Sequence, residues 1–322
     1  KTKQKKKRFL LSVAMDKAKQ IVNYMKRCPE TEKIDVLGSL RRRSATIGDL
    51  DIAVASSQPL KVIKCFKKYP RCLKVLASGE KKATILLNSG IHLDLMVEPL
   101  NTYGSLLQHF TGSKQHNINL RKFARSKNYS LSEYGIKKIK KRNKGSKLKK
   151  FSQEKTFYHF LGLSWIPPEL REGIGEIEMA LKNKLPNLVE LKDIKGDLHL
   201  HSSFNIETSH DLGLDSLRSI ARKAQEYNYQ YIAFSEHNPS QSKHTEKQII
   251  DLIKRKKDII EQLNYSLNKD NKKHSNKLFI FNSLEIDIKP NGERAISDKA
   301  LELLDFAIVA VHSQFQMNKQ KM

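Results

Sequence analysis

The chain has 322 residues, a formal net charge of +26 at pH 7 and a hydrophobic fraction of 39%. That length predicts about two domains with packed cores, and so large a positive charge indicates a polyanionic partner, nucleic acid ahead of an anionic membrane surface. Because no apolar stretch approaches the length of a membrane span and no signal-peptide pattern follows the basic amino terminus, we expect a cytoplasmic protein that does not enter the membrane.

The predicted elements change character along the chain. An apolar periodicity predicts a helix over about residues 9–27, and residues 34–98 alternate strands with one helix. From about 103 to 165 the chain is basic and mostly helical with a hairpin-like interruption, and residues 137–150 carry nine Lys or Arg in fourteen positions. Such a stretch is most often a solvated loop, but in so basic a chain a contact with a phosphate backbone competes closely with that interpretation.

A glycine, a serine and a run of arginines follow the first predicted strand. Gly38 and Ser39 come directly after the apolar run 34–37, and three arginines at 41–43 follow them. A turn at this point would present backbone N–H groups and a hydroxyl to a triphosphate, and the guanidinium groups would neutralise its charge.

Three carboxylates lie close to this turn in the predicted sheet. Asp49 and Asp51 are two apart, so on a strand they point to the same face, and Asp94 lies in the strand-like run 91–97. A neighbouring strand could bring Asp94 beside the first pair, where Mg²⁺ would relieve the repulsion between the carboxylates. An Asp-x-Asp pair alone is usually a solvated strand edge, but the adjoining Gly-Ser-arginine motif favours two cations that clamp a phosphoryl displacement.

The basic segment contains a further motif and a helix face. Phe110, Gly112, Ser113 and Lys114 belong to the run 109–114, which combines aromatic, small and basic residues. Asn117 and Arg121 are four apart, so on a helix they share one face and could both reach the minor-groove edge of a nascent base pair.

Metal-ligand residues recur at strand ends in the second half of the chain. His199 and His201 follow one apolar approach, and later strand-like runs end at His237, Glu285 and His312. Four strands that each end in such a residue, with helical stretches between them, are typical of a β/α barrel with its site on the carboxyl face. A single histidine is more often part of a core, but this recurrence favours metal binding.

The first set of motifs closely resembles the bacterial and archaeal family X DNA polymerases, and the resemblance covers nearly the whole chain. It implies that Gly38, Ser39, Arg42 and Gly48 hold the incoming triphosphate, and that Asp49, Asp51 and Asp94 bind two Mg²⁺ or Mn²⁺ ions. Asp94 would help to activate the primer 3′-hydroxyl. The resemblance also implies a turn at 110–113 whose small residues let the backbone approach the sugar of the nucleotide. Contacts to the nucleotide and the DNA are implied for Phe110, Gly112, Ser113, Lys114, Asn117 and Arg121.

The second set resembles the PHP phosphoesterase domain that these polymerases carry at their carboxyl end. That resemblance implies one metal centre with His199, His201 and Glu285, a second that shares Glu285 and includes His312, and a third served by His237. His210 is the expected further ligand and Asp211 the alternative, for up to three Mn²⁺ or Zn²⁺ ions. The family's later ligands would lie beyond Met322, so residues 1–322 are expected to bind these metals weakly and to show little nuclease activity.

The predicted fold class is α/β and α+β multidomain. We expect a nucleotidyltransferase palm, a mixed sheet with helices, at 1–99, a thumb at 100–170, a linker at 171–192, and a truncated PHP-type distorted β/α barrel at 193–322. The chain would be a fragment without the helix-hairpin-helix region that precedes the palm in relatives and without the end of the PHP domain.

The predicted function is gap-filling, template-directed DNA synthesis in base excision repair, with an attached PHP 3′–5′ exonuclease or abasic-site endonuclease that is incomplete here. The expected partners are gapped or primer–template DNA and deoxynucleoside triphosphates, and we expect a monomer. Two alternatives stay open: a template-independent nucleotidyltransferase, and a basic nucleic-acid-binding module without catalysis.

Overall fold

A computed structural model of the chain describes residues 8–139, 147–269, 277–313 and 315. The middle of the basic stretch 137–150 therefore lies outside the described residues. The chain divides into two compact units, Lys1–Asn187 and Leu188–Met322. In the part of the chain that the structure describes, no helix has both the length and the apolarity that crossing a bilayer requires.

The first part of unit one is a strand-rich region. Its elements are β1 (Phe9–Leu10), α1 (Leu11–Met25), β2 (Lys33–Val36), α2 (Gly38–Arg41), β3 (Thr46–Ile47), β4 (Leu50–Ala55), α3 (Pro59–Lys67), β5 (Cys72–Ser78), β6 (Lys82–Leu87) and β7 (His92–Glu98). Five of the strands form a mixed sheet in the order β2-β4-β7-β6-β5. Strands β4 and β7 are parallel, and the other neighbours are antiparallel. A short ribbon, β1 with β3, lies outside this sheet.

Both faces of this sheet are covered. Ile52 and Val54 of β4 pack with the apolar faces of α1 and α3, whereas Ala53 and Ala55 pack with Tyr103 on the opposite face. Side chains alternate between faces along a strand, so an uninterrupted apolar run such as 52–55 suits a central strand that is buried on both sides. The mixed sheet with covering helices confirms the predicted mixed α/β class for this part.

The second part of unit one is helical, with one hairpin. Its elements are α4 (Tyr103–Thr111), α5 (Lys114–Ser126), β8 (Tyr129–Ser132), β9 (Gly135–Lys138), α6 (Glu154–Phe160) and α7 (Glu176–Leu181). Their shared core includes Leu120, Phe157 and Ile166, together with Ile177 and Ala180 of α7. The beginning of the segment expected to be a linker at 171–192 is therefore packed into this core, because α7 has an apolar face of its own to bury.

Unit two alternates strands and helices. Its elements are β10 (Gly196–Leu200), α8 (Leu217–Glu226), β11 (Tyr231–His237), α9 (Glu246–Lys269), β12 (Phe279–Asp287), α10 (Asp298–Leu301) and β13 (Phe306–Ala310). The strands form a parallel sheet in the order β10-β11-β12-β13, and helices α8 and α9 bury apolar faces against it. Parallel neighbours end at the same edge of a sheet, so the carboxyl ends of the strands meet there.

Candidate functional sites: a carboxylate edge and a histidine cluster

The first candidate site lies where the parallel strands β4 and β7 begin. Asp51 pairs directly with Asp94 in the register of the two strands, and Asp49 comes just before β4. Asp51 and Asp94 are both half-buried, and the two leucines that flank Asp94 in the sequence are fully buried. The sequence-based expectation that a second strand would bring Asp94 alongside Asp51 is met by this register.

The Gly-Ser segment lies directly against Asp51. The Leu37 N–H donates to the Asp51 carbonyl oxygen at 2.8 Å, and Gly38 then begins the single helical turn α2. Gly38 has a φ of +57°, and a Cβ at this position would collide with Asp51 Oδ2. The residue must therefore be glycine for two reasons, its backbone conformation and the carboxylate that lies where a side chain would begin.

Asp94 has a partner that the sequence motifs did not indicate. Thr84 of β6 lies opposite Asp94, and its hydroxyl donates to Asp94 Oδ1. Among the described residues, the three carboxylates do not form a group whose oxygens all lie within 4.8 Å of one another. Repulsion between like charges disfavours a tighter group of carboxylates, and one Asp94 oxygen is bound by Thr84 instead. The alternation of β6 could have indicated Thr84, the polar residue between buried Ala83 and Ile85.

Each of the three consecutive arginines pairs with a different glutamate of the helical part of unit one. Arg41 forms two bonds of 2.9 Å with Glu154, Arg42 Nε donates to Glu172 at 2.7 Å, and Arg43 Nε lies 3.4 Å from Glu169. Arg42 Nη1 also donates to the Thr111 carbonyl oxygen at 2.7 Å. Arg42, the residue expected to bind the triphosphate, thus connects the sheet part of unit one to its helical part.

Glu154 is the buried centre of this set of ion pairs. It accepts from Arg41, from Arg171 at 2.6 Å and from the Trp165 ring N–H at 3.0 Å. Burial alone would raise the pKa of Glu154, but Arg171 and then Arg41 outweigh burial and hold the pKa at about 2. Arg171 is itself fully buried. The sequence motifs missed this network because its members are far apart in the chain.

A second buried bond fixes α7. His116 of α5 lies 2.6 Å from Glu176 and 2.9 Å from the Tyr158 hydroxyl, and all three residues are buried. Burial lowers the pKa of His116, although the bond with Glu176 acts in the opposite direction. These bonds satisfy polar groups that would otherwise be costly to bury.

The predicted nucleotide-binding turn meets Arg42. A Cβ at Gly112, which has a φ of +69°, would lie 3.2 Å from Arg42 Nη1, so the small residue permits this approach. The peptide bond between Gly112 and Ser113 is cis. Ser113 Oγ accepts from the His116 N–H and caps α5, and the ring of Phe110 makes an edge contact with His109. Gly48, the other predicted glycine, lies near the exposed Arg8 guanidinium.

Helix α5 carries the three residues expected to contact the base pair and the DNA. Asn117 is held at both ends of its amide, since Nδ2 donates to the His109 carbonyl oxygen at 2.7 Å and Oδ1 accepts from Gln108 at 2.9 Å. Lys114 and Arg121 are exposed. The predicted helix is present, with Asn117 and Arg121 one turn apart on it.

The second candidate site lies at the carboxyl edge of the parallel sheet in unit two. His199, His201 and Glu285 form one group, and His210, His237 and His312 form another, with the candidate ligand atoms of each group within 4.8 Å of one another. All six residues were expected from the sequence. The structure differs in one detail, because His237 shares a group with His312 instead of serving a separate centre. The ring centroids of His210 and His312 both lie within 5.0 Å of the centroid of the His237 ring.

Glu285 belongs to the first group and also contacts the second. Its carboxylate is 3.0 Å from His199, 3.2 Å from His201 and 3.1 Å from His312. Burial would raise the pKa of Glu285, but the surrounding histidines, His199 first, lower it. A carboxylate between two imidazole groups is suited to bridge two cations, as the sequence resemblance implies.

Asp287 is a member of this cluster that the sequence motifs missed. It lies 2.6 Å from His312 and 3.0 Å from His210. Strand residues two apart point to the same face, so the Glu-x-Asp pattern at 285–287 could have indicated that Asp287 lies beside Glu285. The Asp-x-Asp pattern at 49–51 predicts a shared face in the same way. Asp211, the alternative ligand, has a 95% exposed side chain and lies 3.9 Å from His237, whereas His210 lies inside the group.

Two of the segments that carry these ligands are attached to a buried ion pair. Glu236 accepts from the backbone N–H and the hydroxyl of Ser202, at 3.1 and 2.6 Å, and it pairs with Lys256 of α9. Lys256 is fully buried and also donates to carbonyl oxygens of β11 and β12. Glu236 and Ser202 adjoin His237 and His201, so these bonds fix two ligand-bearing segments.

Comparison with known proteins gives two matches. Residues 106–172 match the DNA polymerase beta thumb family. The chain is 31% identical over 312 residues to a DNA polymerase/3′-5′ exonuclease PolX of Bacillus subtilis (strain 168), an alignment that covers 96% of this chain. It covers 51% of the relative, so the chain spans about half the length of that protein. By these two matches the chain is similar to a bacterial DNA polymerase/3′-5′ exonuclease over nearly its whole length, and its residues 106–172 are similar to the DNA polymerase beta thumb family.

Proposed function

We propose that this chain catalyses template-directed addition of deoxynucleotides to a primer in short DNA gaps, as in base excision repair. The observation that carries the proposal is the direct pairing of Asp51 with Asp94 beside Gly38 and the arginines, in a chain whose thumb matches that of a DNA polymerase family. The substrates would be gapped or primer–template DNA and deoxynucleoside triphosphates. The enzyme would act as a monomer in the cytoplasm.

The donor set at the carboxylate edge fits Mg²⁺ or Mn²⁺. Asp49, Asp51 and Asp94 offer only hard oxygen ligands, and these ions keep positions open for substrate phosphates. Two ions held there would stabilise both the attacking and the leaving oxygen of the displacement.

The residues of the chain supply the other requirements of the reaction. The primer 3′-hydroxyl oxygen forms a bond to the α-phosphorus, the bond from that phosphorus to the bridging oxygen breaks, and pyrophosphate leaves. Asp94 favours this attack by drawing the hydroxyl proton towards its carboxylate. Ser39, Arg42 and the backbone at Gly38 and Gly48 bind the triphosphate.

The thumb residues would test the new base pair. Phe110, Gly112 and Ser113 receive the sugar of the nucleotide, while Asn117 and Arg121 reach the minor-groove edge and Lys114 contacts the DNA backbone. Minor-groove contacts are nearly independent of base identity, so they can report pairing geometry for any correct pair.

For unit two we propose a phosphoesterase of the PHP type, with 3′–5′ exonuclease or abasic-site endonuclease activity, on a distorted β/α barrel. The specific observation in favour is the pair of ligand groups that Glu285 connects, as a member of one and in contact with His312 of the other. Imidazole nitrogens with a carboxylate suit Mn²⁺ or Zn²⁺, which would polarise a phosphodiester and lower the pKa of a water nucleophile. The PolX relative carries an exonuclease in its name.

One assay separates the polymerase from its alternatives. The purified chain is incubated with a one-nucleotide-gapped duplex, Mg²⁺ or Mn²⁺ and each deoxynucleoside triphosphate in turn. Insertion that follows the template base supports the proposal. Insertion regardless of the template indicates a template-independent transferase, and DNA retention without extension indicates a non-catalytic binding module.

Asp49→Ala is the matching variant. We expect it to abolish insertion while DNA affinity stays close to that of the unchanged chain, because the phosphate contacts lie on other residues. Single-turnover insertion and a gel-shift titration measure the two properties. Insertion at the unchanged rate would contradict the metal assignment.

A further inference from the structure

Glu172, the last residue that matches the thumb family, is hydrogen-bonded to Arg42, the arginine expected to bind the triphosphate. Glu172 Oε1 accepts from Arg42 Nε at 2.7 Å. The Arg42 side chain is 13% exposed and that of Glu172 is 44% exposed. A carboxylate and a phosphate make the same kind of charge-assisted bond with a guanidinium, so they compete for this N–H.

We infer that Glu172 is an internal competitor for the triphosphate: its carboxylate holds the phosphate-binding edge of Arg42 until an incoming nucleotide displaces it. The inference rests on the proposed function, in which Arg42 binds the triphosphate. It assigns to Glu172 a role opposite to that of a ligand, because removing its charge should strengthen nucleotide binding.

Glu172 is not needed to hold Arg42 in place. Arg42 Nη1 donates separately to the Thr111 carbonyl oxygen at 2.7 Å, and Gly112 lies against the same nitrogen. The guanidinium therefore keeps its position when the glutamate leaves. The exposed side chain of Glu172 can turn into water, where its charge is solvated.

The two neighbouring ion pairs show why Glu172 is the one that exchanges. Glu154 is 5% exposed and is bound by Arg41, Arg171 and Trp165, so its departure would leave buried charges without a partner. The pair of Arg43 with Glu169 is longer, at 3.4 Å, and its arginine is 66% exposed, so water already screens it. The Arg42–Glu172 pair combines a half-buried cation with an anion that is free to move into solvent.

The test is equilibrium binding of a nonhydrolysable deoxynucleoside triphosphate, the α,β-imido form, to the full chain on a one-nucleotide-gapped duplex. We expect Glu172→Gln to lower the Kd about two- to fivefold, the range that a partly exposed ion pair allows. Glu178→Gln is the matched control, because it removes the same charge from an exposed position of α7. It should change the Kd far less.

A double-mutant cycle with Arg42→Ala assigns the effect to this pair. Arg42→Ala alone should weaken binding, and Glu172→Gln should give no gain in the Arg42→Ala background. If Glu172→Gln binds no more tightly than Glu178→Gln while Arg42→Ala still weakens binding, competition is wrong and the triphosphate role of Arg42 stands. If Arg42→Ala leaves the Kd unchanged, or the unchanged chain binds no nucleotide, the proposed function fails at this residue and the inference fails with it.

Discussion

At the scale of single residues, the carboxylate edge depends on side chains that are small as much as on those that are charged. Gly38 has a positive φ and lies where a Cβ would meet the Asp51 carboxylate. Gly112 similarly admits the Arg42 guanidinium. The backbone therefore forms part of the wall of the site.

Comparing Gly38→Ala with a control variant separates the need for a positive φ from the need for space beside Asp51. A positive φ costs an alanine about 1–2 kcal/mol of folding free energy, and the clash with Asp51 should displace the carboxylate and lower the rate of insertion by about a hundredfold. Gly90→Ala is the control, because Gly90 also has a positive φ, +81°, but a Cβ there has no neighbour within 4 Å. Denaturant unfolding and gapped-duplex insertion are measured for both variants. Equal insertion rates would show that the contact with Asp51 does not matter.

At the scale of elements, ion pairs join helices that the sequence places far apart. Glu154 of α6 binds Arg41 of α2 and Arg171, and His116 of α5 binds Glu176 of α7. The sequence predicted a mostly helical segment over about 103–165, which contains α5 and α6, but it predicted a turn where α2 lies and a linker where α7 lies. The partners of their charges could not be predicted in the same way, because a buried pair depends on which helix faces meet.

The Glu154 network predicts a pH dependence of stability. The folded pKa of Glu154, about 2, lies below its ordinary value of 4.5, so its carboxylate stabilises the fold above that ordinary value and this contribution is lost as the pH falls towards 2. At pH 7 we expect Glu154→Gln to lower the free energy of unfolding by about 3 kcal/mol. The difference from the unchanged chain should shrink between about pH 5 and pH 2.

Trp165 reports this transition directly. It is the single tryptophan of the chain, and its ring N–H donates to Glu154. Unfolding followed by its fluorescence therefore monitors the network itself. Glu169→Gln, at an exposed ion pair, should cost well under 1 kcal/mol, and a similar loss from both variants would contradict the assigned importance of burial.

At the scale of the whole molecule, the chain carries two chemically different sites in two compact units. The site of unit one offers oxygen ligands alone, and that of unit two offers mainly imidazole nitrogens. Both lie where parallel strands bring their polar ends together, at the beginning of β4 and β7 in one unit and at the end of β10 to β13 in the other. We expect donor sets that differ in this way to prefer different cations.

The variant Glu285→Gln tests this separation. Because Glu285 contacts members of both histidine groups, we expect it to weaken Mn²⁺ binding to unit two by about tenfold or more. Template-directed insertion by Glu285→Gln should be unaffected. Asp49→Ala should abolish insertion and leave Mn²⁺ binding to unit two unchanged. Calorimetric titration with Mn²⁺ and the gapped-duplex assay measure the two properties, with the exposed Glu293→Gln as control. A loss of insertion in Glu285→Gln would show that the sites are not independent.

The sequence by itself determined the chemical types of the sites and most of the elements that carry them. The period of two predicted that Asp49 and Asp51 share one face, and the recurrence of ligand residues at strand ends indicated the histidine cluster. Only the tertiary structure decided that Thr84 contacts Asp94, that Asp287 joins His210 and His312, and that each arginine at 41–43 faces its own glutamate. The physical reason is range: periodicity and turn chemistry act between near neighbours, whereas a bond between Arg42 and Glu172 exists only after the cores have packed and brought distant charges together.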